Sequence, residues 1–304
     1  MTQATAPAAP HPHSRNALIF AAVLALVSWA SAYPVVRMAL PMIAPIPLAA
    51  ARYAVAAAIA LVWIGWARPK LPRKQDIPRF VACGGIGITL YNILFNVGEQ
   101  TVSAGAASFL ISFSPLLSAL VAVVFLGEKL SPWGWVGSLV SFCGVVLIAR
   151  SQPGGLTFGS GAVDVLGAAL ATAFYNTLQK KLVAYYGALA TTAYILIVGA
   201  VLLTPWLADA TRSLRVSGPK TWLLVLELGV CPAILGYGAW AYIVGQLGVA
   251  RSSGLLYLLS PTTLVLAFLL TGEVPTPRIL LGGAVILAGV AVMATRGRSK
   301  ARQV

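Results

Sequence analysis

Residues 96–150 read NVGEQTVSAGAASFLISFSPLLSALVAVVFLGEKLSPWGWVGSLVSFCGVVLIAR, and residues 242–295 read YIVGQLGVARSSGLLYLLSPTTLVLAFLLTGEVPTPRILLGGAVILAGVAVMAT. The second stretch repeats the first. Tyr91 and Tyr237, Gln100 and Gln246, and Pro115 and Pro261 are each 146 positions apart. After a one-residue gap the offset is 145, pairing Glu128 with Glu273, Pro132 with Pro277, Gly137 with Gly282 and Gly144 with Gly289. An internal repeat in a strongly apolar chain points to a transporter built from two related halves.

Working outward, the whole chain is 59% hydrophobic and 9% charged, with a mean hydropathy of +0.88. A soluble domain carries roughly 25% charged residues, so this chain lacks the charge to cover a water-facing surface. Long charge-free stretches indicate an all-α integral membrane protein, and the strand-like alternation of an outer-membrane barrel is missing. The net charge of +14 invites a nucleic-acid reading. The basic residues, however, sit in short loops and tails between apolar segments, which is a membrane orientation signal. No nucleic-acid partner is expected; the partners are a bilayer and a small-molecule substrate. Cys83, Cys143 and Cys231 lie in apolar stretches without metal-ligand spacing and read as inert thiols.

A spanning helix needs about 20 apolar residues. Ten segments qualify: 17–36, 46–66, 78–99, 104–126 and 132–149, then 162–182, 188–208, 221–244, 252–271 and 278–295. This predicts a tail over 1–16, a five-helix repeat over 17–149, a loop over 150–161, a second repeat over 162–295 and a tail over 296–304. Ala30-Ser31-Ala32 resembles a signal-peptidase site, but the run before it is long enough to span. Counting Lys and Arg on alternate sides gives fourteen against six, with Arg52 inside a span. The positive side is cytoplasmic, so both termini are expected in the cytoplasm of a cell with this chain in its inner (plasma) membrane. Five is an odd number, so the second half enters from the opposite side. The repeat is therefore inverted, the arrangement that permits alternating access about a midplane site.

Several residues that carry this pattern resemble the EamA-type transporters of the drug/metabolite transporter superfamily. They are Ser28-Trp29-Ala30-Ser31, the stretch LAAARYAVAAA holding Arg52, and the paired endings FLGEKLSPWGWVGSLVSFCGVVLI and TGEVPTPRILLGGAVILAGVAVM. The resemblance covers roughly residues 17–295. It implies ten helices, cytoplasmic termini, a cavity lined by helices 1, 3, 4, 6, 8 and 9, and export of amino acids or related metabolites. Ala30 departs from the commoner Trp-Gly form of the first helix.

Polar groups in hydrocarbon must face protein or water. Asn92, Asn96 and Glu99 recur at i, i+4, i+7 and share a face; they could line a cavity or bond neighbouring helices. Trp29, Tyr33, Tyr175, Asn176, Tyr237 and Tyr242, with Ser112, complete the candidate substrate residues, since aromatic faces attract an ammonium group. Trp63, Trp66, Trp133, Trp135, Trp206 and Trp222 read instead as interfacial belts. Arg52, Glu99 and Glu227 are candidates for proton coupling or an ion pair, and a structural pair to Arg52 is the favoured reading. Pro115 and Pro261, at matching depths, are expected to bend helices 4 and 9 as gates. Glycines 84, 85 and 87, matched by Gly229, Pro232, Gly236 and Gly238, mark a second pair of interrupted helices. Glu128 and Glu273 suggest capping or hinge roles. Gly137-x3-Ser141 and Ala284-x3-Ala288 suit packing within the bundle or a homodimer.

The only histidines, His11 and His13, lie in the tail, and no HExxH, Gly-x-Ser-x-Gly, P-loop or CxxC motif occurs. Neither enzymatic activity, nor a cofactor, nor ATP hydrolysis is expected. A channel-like pore and an exporter of cationic drugs or sugar phosphates remain the alternatives. A phosphate carrier would need more deep cations than Arg52.

Overall fold

A computed structural model of the chain describes residues 15–114, 116–117, 121, 131–151, 160–247 and 253–296. These residues are nearly all helical. The first half comprises α1 (Arg15–Ala39), α2 (Pro45–Ala67), α3 (Lys74–Gly98), α4 (Ala104–Ile111) and α5 (Pro132–Ser151). The second comprises α6 (Ser160–Tyr186), α7 (Ala188–Val216), α8, α9 and α10 (Pro277–Arg296). In α8 an α segment over Pro219–Val230 passes through a π turn over Cys231–Gly236 into Tyr237–Leu247. A 3-10 segment, Ser253–Leu258, leads into α9 (Leu259–Thr271).

Local chemistry sets these boundaries. Pro45 opens α2 and Pro219 opens α8, where the missing N–H costs nothing. α2 ends on Arg68 in the left-handed region, ahead of Pro69. α9 ends on Gly272 at φ 70°, a conformation that glycine adopts without a Cβ penalty. Among the described residues, α1, α2, α3, α7 and the Pro219–Trp240 part of α8 are long and apolar enough to cross a membrane. The apolar portions of α5, α9 and α10 are shorter.

The contacts between halves obey one exchange rule. α1 packs on α8 and α9, and α6 packs correspondingly on α3 and α4. α2 packs on α8, and α7 on α3. α2 meets α7, and α5 meets α10, each helix touching its own counterpart. These pairings map onto one another when first half is exchanged for second, the signature of a pseudo-two-fold axis.

The crossing of α5 and α10 shows the direction of that axis. Ser131 Oγ donates to Arg296 O at 3.2 Å, and Ser141 Oγ donates to Ile286 O at 3.1 Å. Gly144 approaches Gly282, and Gly137 approaches Gly289. Numbers rise along one helix as they fall along the other, so the pair is antiparallel. The two glycine contacts are copies of each other under the repeat offset. A Cβ on Gly144 would come 2.7 Å from Ile286 N, and one on Gly289 would come 2.5 Å from Gly137 O. The Gly137-x3-Ser141 pattern therefore packs inside the bundle. Ala284 and Ala288 do not share that role: both are exposed, and Gly282, Ile286 and Gly289 form the contacting face.

Gly144→Leu or Gly289→Leu should push these backbones apart and cost about 1–3 kcal/mol, read as a lower midpoint of thermal unfolding in detergent. Gly65 has no atom within 4 Å of its Cβ direction. Gly65→Ala should leave the midpoint unchanged or raise it, because Ala loses less backbone entropy in a helix.

Candidate functional site

Two π turns frame the centre of the bundle. α3 carries one over Gly85–Leu90, and α8 carries one over Cys231–Gly236, 146 residues later at both ends. A π turn leaves carbonyls out of the regular ladder, and such turns often mark functional sites. Side chains satisfy one carbonyl in each. Asn92 Nδ2 donates to Ile88 O at 2.7 Å, and Trp29 Nε1 donates to Pro232 O at 3.1 Å. Each turn also seats a ring from the other half. Tyr175 of α6 packs on Gly87, and Trp29 of α1 packs on Gly236. The matched interruptions expected from the glycines are thus π turns.

Aromatic side chains from five helices converge there. Tyr91 (α3) lies within electrostatic reach of Tyr33 (α1), Tyr53 (α2), Tyr237 (α8) and Arg52. Tyr175 lies within reach of Tyr53 and Tyr237. Trp29 meets Tyr237 edge-on at 5.5 Å and Trp240 at 5.3 Å. Phe95 joins Tyr33 edge-on at 5.2 Å and stacks with Tyr91 at 5.6 Å. Asn92 is buried, and its Nδ2 also reaches the Tyr53 hydroxyl at 2.9 Å. Asn96 Nδ2 donates to Pro45 O at 2.9 Å. Both asparagines therefore tie α3 to α2, while their Oδ1 atoms are buried without a partner. Each amide thus bonds a neighbouring helix through its nitrogen and keeps an acceptor in reserve.

The ionisable residues are arranged differently from the sequence reading. Arg52 is buried, 5% exposed, with its guanidinium 5.1 Å from the Tyr53 ring. Among the described residues no ion pair within 4.0 Å joins it to a carboxylate, so the expected structural pair is not formed. Its Nε has no hydrogen-bond partner. Glu227 is instead held by α1: Ser31 Oγ donates to its Oε1 at 2.5 Å, while Oε2 is buried and unpartnered. Glu99 is 1% exposed, and neither carboxylate oxygen has a partner.

Arg37 and Glu273 close the end of the bundle where α1 and α9 finish. Glu273 Oε2 and Oε1 accept from the backbone N–H groups of Ala104 and Gly105 at 3.3 and 3.2 Å. Ser103 Oγ accepts from Ala106 N at 3.2 Å. The first turn of α4 is thereby capped, with a carboxylate placed at the positive end of the helix dipole. Arg37 Nε lies 3.8 Å from Glu273 Oε2, and Arg37 Nη1 donates to Glu99 O at 3.2 Å and to Val102 O. One residue from the second half thus ties α1 and α4 of the first. The capping reading of Glu273 describes this arrangement; Glu128 lies outside the described residues.

The remaining candidates separate. Ser112 Oγ pairs with Ser260 Oγ at 2.8 Å, and Ser260 Oγ also donates to Ser108 O at 3.2 Å, so Ser112 sits in a bridge between α4 and α9. Asn176 is exposed and accepts from Gln179 Nε2 at 3.2 Å, away from the tyrosines, because it is one residue round the helix from buried Tyr175. Tyr242 borders an apolar cleft of about 470 Å³ between α1 and α8, beside Ala21 and Phe20. Pro261 is exposed in the first turn of the α9 segment, where proline is tolerated; the break precedes it as the 3-10 segment. Pro115 lies outside the described residues. The structure adds Tyr53, Tyr91 and Ser31, neighbours in sequence of Arg52, Asn92 and Trp29. A polar-tipped residue beside each singled-out residue was the available signal.

A second cavity of about 170 Å³ lies between α2, α7 and α8, bounded by Ala60, Trp63, Ala193, Leu196, Ala233 and Tyr237. Tyr237 also stands within reach of Tyr53 and Arg52, so this space abuts the aromatic cluster. Both spaces lie beside α8, and neither is bounded by α3, α4, α6 or α9. The serine bridge and the Glu273 cap draw α4 and α9 together.

Comparison with known proteins agrees with this architecture. A probable terminal-alkyne amino-acid exporter of Streptantibioticus cattleyicolor is 36% identical over 286 residues, covering 94% of this chain and 96% of that protein. An uncharacterized transporter of Bacillus subtilis, YdfC, is 32% identical over 86% of each chain. A probable amino-acid metabolite efflux pump of Salmonella typhimurium is 27% identical over 89% of this chain and 92% of its own. A crystal structure superimposes with a TM-score of 0.60 at 21% identity, covering 92% of this chain and 96% of its own, and shares the fold. Residues 16–150 and 159–295 each match one further description. With two such matches filling most of its length, the chain belongs to the EamA-like transporter family and is a multi-pass membrane transporter rather than an enzyme.

Proposed function

We propose that this protein exports amino acids or closely related metabolites from the cytoplasm by alternating access. The named relatives support the substrate class. The observation that carries the mechanism is the exchange symmetry of the two halves combined with the Arg37–Glu273 closure at one end. Two repeats related by an axis across the bundle can exchange roles, opening one end as the other closes. The exchange carries Glu273 onto Glu128, and carries the Arg37 end of α1 onto the end of α6 that bears Lys181.

The fourteen-to-six distribution of Lys and Arg supports cytoplasmic termini and, with them, an outer-face position for the Arg37–Glu273 closure. The chain then resides in the inner (plasma) membrane, with units over 17–149 and 162–295. Substrate enters the aromatic cluster from the cytoplasm while the outer latch holds. Trp29, Tyr33, Tyr175 and Tyr237 form its walls, with Asn92 and Asn96 offering their unpartnered acceptors. Pro261 lies in the first turn of α9, just after the 3-10 segment where the chain changes geometry.

Counterflow into proteoliposomes tests the transport reading. The expected outcome is saturable, stereoselective accumulation of amino acids; unsaturable flux at carrier-like concentrations would identify a pore. The latch has its own test in a chain stripped of Cys83, Cys143 and Cys231 and carrying Tyr33→Cys. Adding Glu273→Gln should raise labelling by an impermeant thiol reagent from the outer face severalfold. Unchanged labelling would show that Glu273 only caps α4.

A further inference from the structure

We propose that Arg52 and Glu227 grip the two ends of a zwitterion, Arg52 taking an α-carboxylate and Glu227 an α-ammonium. This rests on the export reading above and specifies how its site recognises substrate.

Arg52 is buried and Glu227 is half-buried, their charges are opposite, and no ion pair joins them. Arg52 lies seven residues beyond Pro45 and Glu227 eight beyond Pro219, so both stand roughly 10–12 Å from the start of their helices at 1.5 Å per residue. They are within electrostatic reach of each other, and no bond of 4.0 Å or less joins them. An uncompensated ion inside hydrocarbon costs several kcal/mol. Two opposite ions that could remove that cost by meeting are held apart. Ser31 draws the Glu227 carboxylate toward α1, and the Tyr53 face holds the Arg52 guanidinium on α2. What remains is a donor, Arg52 Nε, and an acceptor, Glu227 Oε2, each buried and without a partner.

A ligand that satisfies both must carry an anion and a cation on one short frame. Charge-assisted bonds run to about 2.8 Å, so such a ligand can bond Arg52 through its anion and Glu227 through its cation. An α-amino acid has that shape. A phosphate would leave Glu227 facing an anion, and a simple amine would leave Arg52 unpaired. Glu99 is the less suitable carboxylate, because its charged neighbours are first Arg37 and Glu273 of the closed end and only then Arg52. Among the described residues, Arg52 is the charged group that acts most on Glu227, beside the Ser31 hydrogen bond. Tyr91 and Tyr237, both within reach of Arg52, supply the walls against which a substrate side chain packs.

Discrimination among analogues in proteoliposomes of the full chain tests this. The probes are L-alanine, L-leucine and L-phenylalanine, their decarboxylated amines, and their N-acetyl derivatives, each competing for exchange. Wild type should prefer the amino acids at least tenfold over both analogue sets. Arg52→Gln should abolish the preference over the amines, with Arg52→Lys restoring part of it. Glu227→Gln should abolish the preference over the N-acetyl forms. A loss of folding would affect every probe equally, whereas these changes are selective. Wild type that exchanges either analogue set as well as the amino acids overturns the proposal without recourse to a variant. Unaltered selectivity in folded Arg52→Gln and Glu227→Gln also overturns it, leaving amino-acid export standing. No exchange of any amino acid by wild type overturns the export reading, and the proposal with it.

Discussion

Where α5 crosses α10, backbone meets backbone, with Gly144 against Gly282 and Gly289 against Gly137. In a bilayer, lipid tails are as apolar as leucine, so helices associate through close packing and polar contacts rather than by expelling water. Small residues at a crossing let main chains approach and dispersion contacts accumulate. Here the same small residues occur in both halves, so one half's knob is the other half's hole. The rest of the interface follows the same logic: α1 on α8 mirrors α6 on α3, and α2 on α8 mirrors α7 on α3. A self-complementary contact of this kind needs only one solution to the packing problem, used twice.

The departures from symmetry carry the chemistry. At the two π turns the backbone is the same but the side chains differ: Asn92 serves one carbonyl from within its own helix, and Trp29 serves the other from across the interface. Asn92 and Asn96 are matched in the second half by Gly238 and Tyr242, which removes amides from that side. Buried polar atoms collect on the α2–α3–α8 side, around Arg52, Asn92, Asn96 and Glu227. A symmetric scaffold thus holds an asymmetric set of buried polar groups.

The fold was legible because repeat spacing, hydropathy and loop charge are one-dimensional properties. The offsets that pair Gly137 with Gly282 and Gly144 with Gly289 named the very residues that touch, though not that they touch crosswise. The site was legible only in part. Tyr33, Asn92 and Tyr237 converge, as mid-span polar and aromatic groups should. Asn176 does not, because neighbouring positions on a helix point about 100° apart and a span boundary does not fix rotation. The Arg52 partner was misjudged for a related reason. Opposite charges at similar depth suggest a pair, but a side chain's reach and its competing tethers, here Ser31 and Tyr53, appear only in three dimensions. Alternation of polar and apolar residues also gave no sign that Ser112 would find Ser260.

The contacts of α1 have a consequence for how the chain is made. Trp29 bonds Pro232, 203 positions later, and Ser31 bonds Glu227, 196 positions later. When the ribosome has released the first five helices, those partners do not yet exist. The nascent half then has its glycine ridge on α5 uncovered and Trp29 and Ser31 without their partners. Its early helices must therefore wait, loosely gathered, until the later ones are threaded in with opposite polarity. The contacts that lock the first half are therefore completed only once the second half has been inserted.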